Sequence, residues 1–179
     1  MQKFNLIFPM AGEGSRFNYK FKPFLQISDQ YFIELAYKYF KNFENQILKT
    51  YFIVTQEQNN KFNIQEKLSE IFTNFELIIL EQKTIGPYQT IFQTIKKHNI
   101  QGAAFICDCD HSINISPIIN NLEQLSDYDV ILPIWDLKQE DLNSWSKVYL
   151  DSENNILGFS EKELLDISSN YFGVIGCTY

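Results

Sequence analysis

The sequence predicts an α/β domain, with a mostly parallel sheet, helices on both of its faces and a small antiparallel appendage. Two observations predict it. From Asn5 to Trp135, short apolar runs alternate with stretches whose apolar residues recur at helical spacing, the pattern of strands joined by crossover helices. Beyond Trp135 the remaining apolar pieces are strand-like and separated by turn residues, which suits an antiparallel addition. With 179 residues and no repeat, low-complexity tract or linker, the chain is expected to form one domain, 1–179. A domain of this size hides roughly 70% of its unfolded surface, enough for a sizeable core.

Asn5 to Pro9 is expected to be a buried strand, because a continuous apolar run ended by a turn signal fits the middle of a parallel sheet. A glycine loop follows it. From about Tyr31 to Phe43, Ala36, Phe40 and Phe43 recur among polar residues and predict a helix with one apolar face. "TYFIVT", Thr50 to Thr55, is β-branched and aromatic and predicts a second strand. Ile64, Leu68, Ile71 and Phe72 mark another amphipathic helix, and "FELIIL", Phe75 to Leu80, another strand. Gly86-Pro87 opens the next helix, proline being tolerated in a first turn, with Tyr88, Ile91, Phe92 and Ile95 as its apolar stripe. "AAFIC", Ala103 to Cys107, is a strand ending in "DCDH". A helix near Pro117 to Leu125 and the strand "VILPIW", Val130 to Trp135, complete the regular part, and "KVYLD", "NILGFSEK" and "NYFGVIGCTY" form the strand-like remainder.

Composition is that of a soluble globular chain, 45% hydrophobic and 21% charged, with an aromatic content of 16% that predicts a densely packed interior. No apolar run approaches the roughly 20 residues of a membrane helix, and no signal peptide opens the chain, so the expectation is a cytoplasmic protein with no membrane partner. Cys107, Cys109 and Cys177 are too few and too irregular for a disulfide framework or a zinc site and read as reduced, buried thiols. A net charge of −7 argues against nucleic acid as a partner. Residues 1 to 22 run against that balance, with Lys3, Arg16, Lys20 and Lys22 against Glu13, so a small anion could be drawn there.

Three places carry chemistry. The first is Gly12-x-Gly14-x-Arg16 directly after the first strand. Glycines permit positive φ and close backbone approach, so that N–H groups can point at phosphate oxygens, while Arg16 can add a bidentate contact. A tight turn leaving a strand is the alternative. Neither the Walker pattern nor the dinucleotide fingerprint is present, since Phe17 stands where the latter needs its third glycine. Lys22-Pro23 follows, either a solvated lysine before a turn or a cation for charge developing on phosphorus.

The second place is Asp108-Cys109-Asp110 at a strand end, where carboxylates two apart could converge on a hard cation such as Mg²⁺, or simply cap the strand. His111 beside them reads as a surface group or a supporting neighbour rather than a ligand. The third is Glu161-Lys162, either a charged hairpin or, through Lys162, a clamp for a second phosphate.

In this order the residues resemble the nucleotidyltransferase superfamily that makes nucleotide-activated sugars. The resemblance rests on "PMAGEGSRF" with Lys22-Pro23, Gly86 in "TIGPYQTI", the aspartates of "CDCDH", Glu161-Lys162, and "NYFGVIG" from Asn170 to Gly176. "MAGEGSRF" and "SWSKVYLD" are similar to segments of the capsule and lipopolysaccharide type. The resemblance implies a three-layer, Rossmann-like fold of GT-A type and a Mg²⁺-dependent transfer of a nucleoside monophosphate from an NTP to a phosphorylated acceptor, with a sugar 1-phosphate first among acceptors. It implies that Ala11, Gly12, Gly14 and Ser15 cradle the nucleotide, that Arg16 holds the departing pyrophosphate and that Lys22 meets charge at the α-phosphorus. Asp110 would bind Mg²⁺ with Asp108 assisting or touching the ribose, Gly86 would approach the base, and Glu161, Lys162 and Asn170 would meet the acceptor.

Two departures stand out. Glu163 follows the Glu-Lys pair where the family usually has proline, and the chain ends in "GVIGCTY" before the point where relatives often supply a further metal-binding aspartate. The metal site is therefore expected to be completed differently, or the 179 residues to be a portion of a larger design. The nucleobase is not specified, a homo-oligomer is left open, and phosphocholine is an alternative acceptor. A glycosyltransferase using an Asp-x-Asp and a non-catalytic nucleotide-binding homologue are the rival functions.

Overall fold

The computed structural model describes residues 2–137, 142–166 and 169–179, apart from the side chains of Arg16 and Leu142. Its contacts divide the chain into two compact units, Met1–Asp129 with Tyr179, and Val130–Thr178.

In the first unit, β1 (Phe4–Pro9) is followed by a small hairpin of β2 (Gln26–Ile27) and β3 (Gln30–Tyr31), then α1 (Phe32–Tyr37) and β4 (Ile47–Thr55). Next come α2 (Gln56–Phe62), α3 (Ile64–Ile71), β5 (Phe75–Leu80), α4 (Pro87–His98), β6 (Ala104–Cys107) and α5 (Ser116–Ile119). Four of its strands run parallel in the order β6-β1-β4-β5, so β1 is flanked on both sides and its residues from Phe4 to Phe8 are buried.

Strand alternation splits the core into two. One face gathers Ile7, Ile53 and Ile78 with Ile95 of α4 packed against them. The opposite face is aromatic: Phe105 meets Phe4 edge-on at 4.9 Å and Phe40 at 5.5 Å, and Phe52 lies 4.9 Å from Phe72. Edge and offset contacts of this kind add to area burial, which is how so many rings share one layer.

Several expectations are corrected. The helix expected over Tyr31–Phe43 starts one residue later, because Tyr31 is an extended N-cap whose backbone N–H donates to Glu34 Oε2 at 2.8 Å. It then tightens into a 3-10 helix, Lys38–Gln46, with a kink at Phe43. α2 was not expected, since "QEQNNKF" buries nothing and has no stripe to read.

In α4 the inward residues are Thr90 and Thr94, with Ile91 and Ile95 half-buried, whereas Tyr88 (78% exposed) and Phe92 stack on each other outside. Thr90 donates to the Gly86 carbonyl at 3.2 Å and shares a 2.5 Å hydrogen bond with Thr84, which fixes that rotation.

The second unit is a separate antiparallel sheet of β7 (Ile134–Trp135), β8 (Ser146–Leu150), β9 (Ile156–Glu161) and β10 (Asn170–Val174), in the order β7-β10-β8-β9. The run "VILPIW" therefore belongs here and pairs only from Ile134, because Pro133 has no N–H to give a ladder. Gly173 is required beneath Trp135, whose ring edge lies where a Cβ would be.

Candidate functional site

β1 and β6 run side by side, with Leu6 opposite Phe105 and Ile7 opposite Ile106, so the loops leaving their carboxyl ends are neighbours. This is the edge at which open α/β sheets hold ligands. Nearly every chemically notable residue of the first unit lies there.

The glycine loop is a hook. Gly14 is left-handed (φ 65, ψ 29), and its carbonyl accepts from the N–H groups of Phe17 at 2.8 Å and Tyr19 at 3.1 Å. Asn18 and Tyr19 are left-handed as well, which returns the chain towards Lys22. Ser15, Arg16 and Phe17 form a single 3-10 turn; the Arg16 side chain lies outside the described residues. Gly12 differs from Gly14. Nothing lies within 4 Å of where its Cβ would be, so open space rather than backbone geometry accounts for the glycine. Its carbonyl accepts from Gln58 Nε2 at 2.8 Å, and Ala11 packs on the isoleucine cluster, which anchors the start of the loop.

Lys22 begins a 3-10 turn held by buried Pro23. Its ammonium lies on the Asp110 carboxylate and 5.2 Å from the Phe17 ring centroid. β6 stops at Cys107, so Asp108 and Asp110 stand on a turn rather than on the strand itself. Their convergence is consequently a property of that turn: ligand atoms of Asp108, Asp110 and His111 all lie within 4.8 Å of one another. His111 Nδ1 is 3.3 Å from Asp108 Oδ2, and that carboxylate raises the imidazole above its ordinary value. Between the aspartates Cys109 points inward, and burial, reinforced by Asp110, pushes its thiol up to about 12. All three cysteines are buried, and none is in a disulfide.

The donor set fits a hard divalent cation. Two carboxylates lie within one coordination sphere's reach, and the ammonium on Asp110 shows that this oxygen accepts a positive charge.

Gly86 is extended (φ 174) with nothing within 4 Å of a built Cβ, so room rather than backbone conformation accounts for it. Lys83 and Gln58 carry no site signal in the sequence, and Glu13 stands there only as a counter-charge. Glu13 and Lys83 form an ion pair at 2.6 Å, which lowers the glutamate's pKa and raises the lysine's. Together with the start of α2 they border a cleft of about 300 Å³ beside Gly12. No pattern marks an exposed charge in a loop, but Thr55-x-x-Gln58 is a capping-box signature and places Gln58 at a helix start.

In the second unit, Glu161 accepts from Ser146 Oγ and lies 2.9 Å from Lys162, which is left-handed (φ 59). The Ser146 hydroxyl first, and Lys162 next, hold the Glu161 carboxyl below its ordinary value. Asn170 opens β10 opposite Leu150 and is exposed. Glu163 is exposed and its carbonyl accepts from Ser160 Oγ at 2.7 Å. Completely buried Lys147 donates to the Trp145 carbonyl at 2.8 Å.

No family model matches the chain. A molybdenum cofactor guanylyltransferase of Clostridium perfringens, described as probable, is 26% identical over 160 residues, 89% of this chain and 70% of that protein. The nucleoside-diphosphate-sugar pyrophosphorylase of Vibrio cholerae RC9 superposes with a TM-score of 0.72 at 20% identity, over 97% of this chain and 71% of its own. The inositol-1-phosphate CTP transferase of T. maritima gives 0.69 at 16% identity, over 99% and 70%. The GT-A-like fold of the nucleotidyltransferases, implied by the sequence resemblance, is the fold of this chain.

Proposed function

Starting from that fold, we propose that the chain transfers a nucleoside monophosphate from an NTP to a phosphorylated acceptor, a sugar 1-phosphate first among them, and releases pyrophosphate. The observation that carries the reading is the meeting of Lys22, from the loop after β1, with Asp110, from the tip of β6. A cation and a carboxylate pair at the ligand edge of the sheet, beside a glycine hook, is what phosphate chemistry requires there.

The proposed roles follow from charge and position. Ala11, Gly12, Gly14 and Ser15 line the triphosphate, with backbone N–H groups as donors, and Arg16 takes the departing pyrophosphate. Lys22 meets the negative charge that builds at the α-phosphorus. Asp108 and Asp110 hold Mg²⁺; when bound, the ion neutralises phosphate oxygens. Glu161, Lys162 and Asn170 receive the acceptor, and Gly86 leaves room for the base. An acceptor phosphate is already ionised near neutral pH, so its oxygen attacks in line without a general base. The new P–O bond forms as the bond to pyrophosphate breaks, and pyrophosphate leaves with the electron pair. Alignment and charge neutralisation supply the acceleration.

GTP is the first nucleotide to try, because the Clostridium perfringens relative is named a guanylyltransferase. Non-sugar acceptors belong in the panel, because the T. maritima neighbour is named for inositol 1-phosphate. In the described residues no helix is long and apolar enough to cross a membrane. A cytoplasmic role in making activated precursors for capsule or lipopolysaccharide is the setting we propose.

The test is pyrophosphate release from each NTP with Mg²⁺ and a panel of sugar 1-phosphates, inositol 1-phosphate and phosphocholine. Release that depends on both substrates is expected. Transfer from an intact nucleotide-sugar, with no pyrophosphate from any pair, would replace this reading by a glycosyltransferase.

A further inference from the structure

Both aspartates at the tip of β6 already have side-chain partners in the chain itself. Asp110 carries the Lys22 ammonium on Oδ2, and Asp108 lies 3.3 Å from His111. The two engagements differ in kind. His111 is the neighbour of Asp110 in sequence and shares its turn, whereas Lys22 reaches across from another loop on a long unbranched stem. Pro23 fixes the backbone at the foot of that stem by burial, while the Lys22 side chain stays 31% exposed. Its ammonium also has a second favourable surface, the Phe17 ring, whose centroid is 5.2 Å away.

A divalent cation and an ammonium cannot share one carboxylate oxygen at contact distance without strong mutual repulsion. We propose that Lys22 competes with the divalent cation for Asp110, and that it yields the oxygen when nucleotide phosphate draws the ammonium away. The inference rests on the nucleotidyltransferase reading and adds to it. Lys22 then has two anionic partners in turn, first Asp110 and afterwards the phosphate it serves in the reaction. Linkage follows directly: whatever factor the nucleotide contributes to metal affinity, the metal contributes to nucleotide affinity. The device would keep the cation from settling on the aspartates without its nucleotide.

The test needs no turnover. Mn²⁺ binding to the whole chain is titrated by electron paramagnetic resonance, without nucleotide, for the natural protein and for Lys22→Met, Lys22→Arg and Lys20→Met. Lys22→Met is expected to bind Mn²⁺ about tenfold tighter, because the competing charge is gone. Lys22→Arg keeps a competing cation and should match the natural protein. Lys20→Met removes a charge from the same loop without touching Asp110 and should change little. The factor by which Mn²⁺ tightens binding of a fluorescent GTP analogue should shrink in Lys22→Met.

Unchanged or weaker Mn²⁺ binding in Lys22→Met, with an unaltered thermal midpoint, would overturn the competition. Equal tightening in Lys20→Met would overturn it too, by showing a general field effect. Lys22→Gln replaces the methionine variant if that fails to fold. Loss of the proposed activity is a separate result: a protein that releases no pyrophosphate still reports on this competition through metal binding alone.

Discussion

Gly14 and Lys20 are locked together by backbone: a Cβ on Gly14 would lie 2.5 Å from the Lys20 carbonyl oxygen, in a loop where Gly14 is also left-handed at φ 65. Gly12, two residues earlier, has neither constraint. The two glycines of one motif are therefore there for different reasons. Gly14 shapes the hook, and Gly12 leaves it open.

Gly14→Ala should accordingly destabilise the fold by about 2 kcal/mol, from the left-handed penalty and the contact with Lys20. Gly12→Ala should stay within about 0.5 kcal/mol of the natural protein. If Gly12 makes room for a triphosphate, its alanine variant loses turnover while keeping its thermal midpoint. Chemical denaturation and pyrophosphate release on both variants check this, and equal destabilisation would remove the distinction.

Asp110→Asn and Arg16→Ala should each lower kcat by about 100-fold or more, the range for losing an electrostatic contact made in the transition state. Asparagine keeps the shape of Asp110 and removes the charge that pairs with Lys22. Steady-state kinetics decide, and near-normal turnover in both variants would place the chemistry elsewhere.

Glu161 provides a pH test in the second unit. Its carboxyl is held below the ordinary 4.5, first by Ser146 and then by Lys162. A lowered folded value means that the stabilisation is present above the unfolded pKa and is lost as pH falls through the folded one. Ser146→Ala should raise the Glu161 titration midpoint towards 4.5, followed by carboxyl carbon NMR. Its stability deficit, measured at neutral pH, should narrow below the Glu161 midpoint. A midpoint identical in the two proteins would contradict the assignment of Ser146 as the main cause.

Cys109 lies between two aspartates yet is buried, with its thiol pushed up to about 12. It should not react with a thiol reagent at pH 8 in the folded protein and should react once guanidinium unfolds the chain. Mass spectrometry of the labelled peptide reads the outcome; rapid native labelling would show that the tip of β6 opens.

Much of this was legible because periodicity and burial are linked. "FELIIL" became β5 with the expected ends, Phe75–Leu80, since a short apolar run has few other places to go. Strands β8, β9 and β10 beyond Trp135 were likewise readable, with turn residues between them, whereas β7 lay in a run expected to belong to the parallel part. α4 is rotated away from the face its apolar stripe predicts. Apolar residues cover two adjoining faces there, and hydrogen bonds of Thr90 to Gly86 and Thr84 chose which turned inward.

The sequence by itself determined the parallel strands β1, β4, β5 and β6, the helices α3 and α4, the glycine loop after the first strand and the pair of aspartates at a strand end, because these depend on residues close together in the chain. Tertiary structure alone decided that Lys22 meets Asp110 and that Glu13 meets Lys83 beside Gly12. Each of these joins loops brought together by the register of the parallel sheet. Local pattern does not encode such a meeting, since β1 can set its loop beside that of β6 only once the buried sheet has formed.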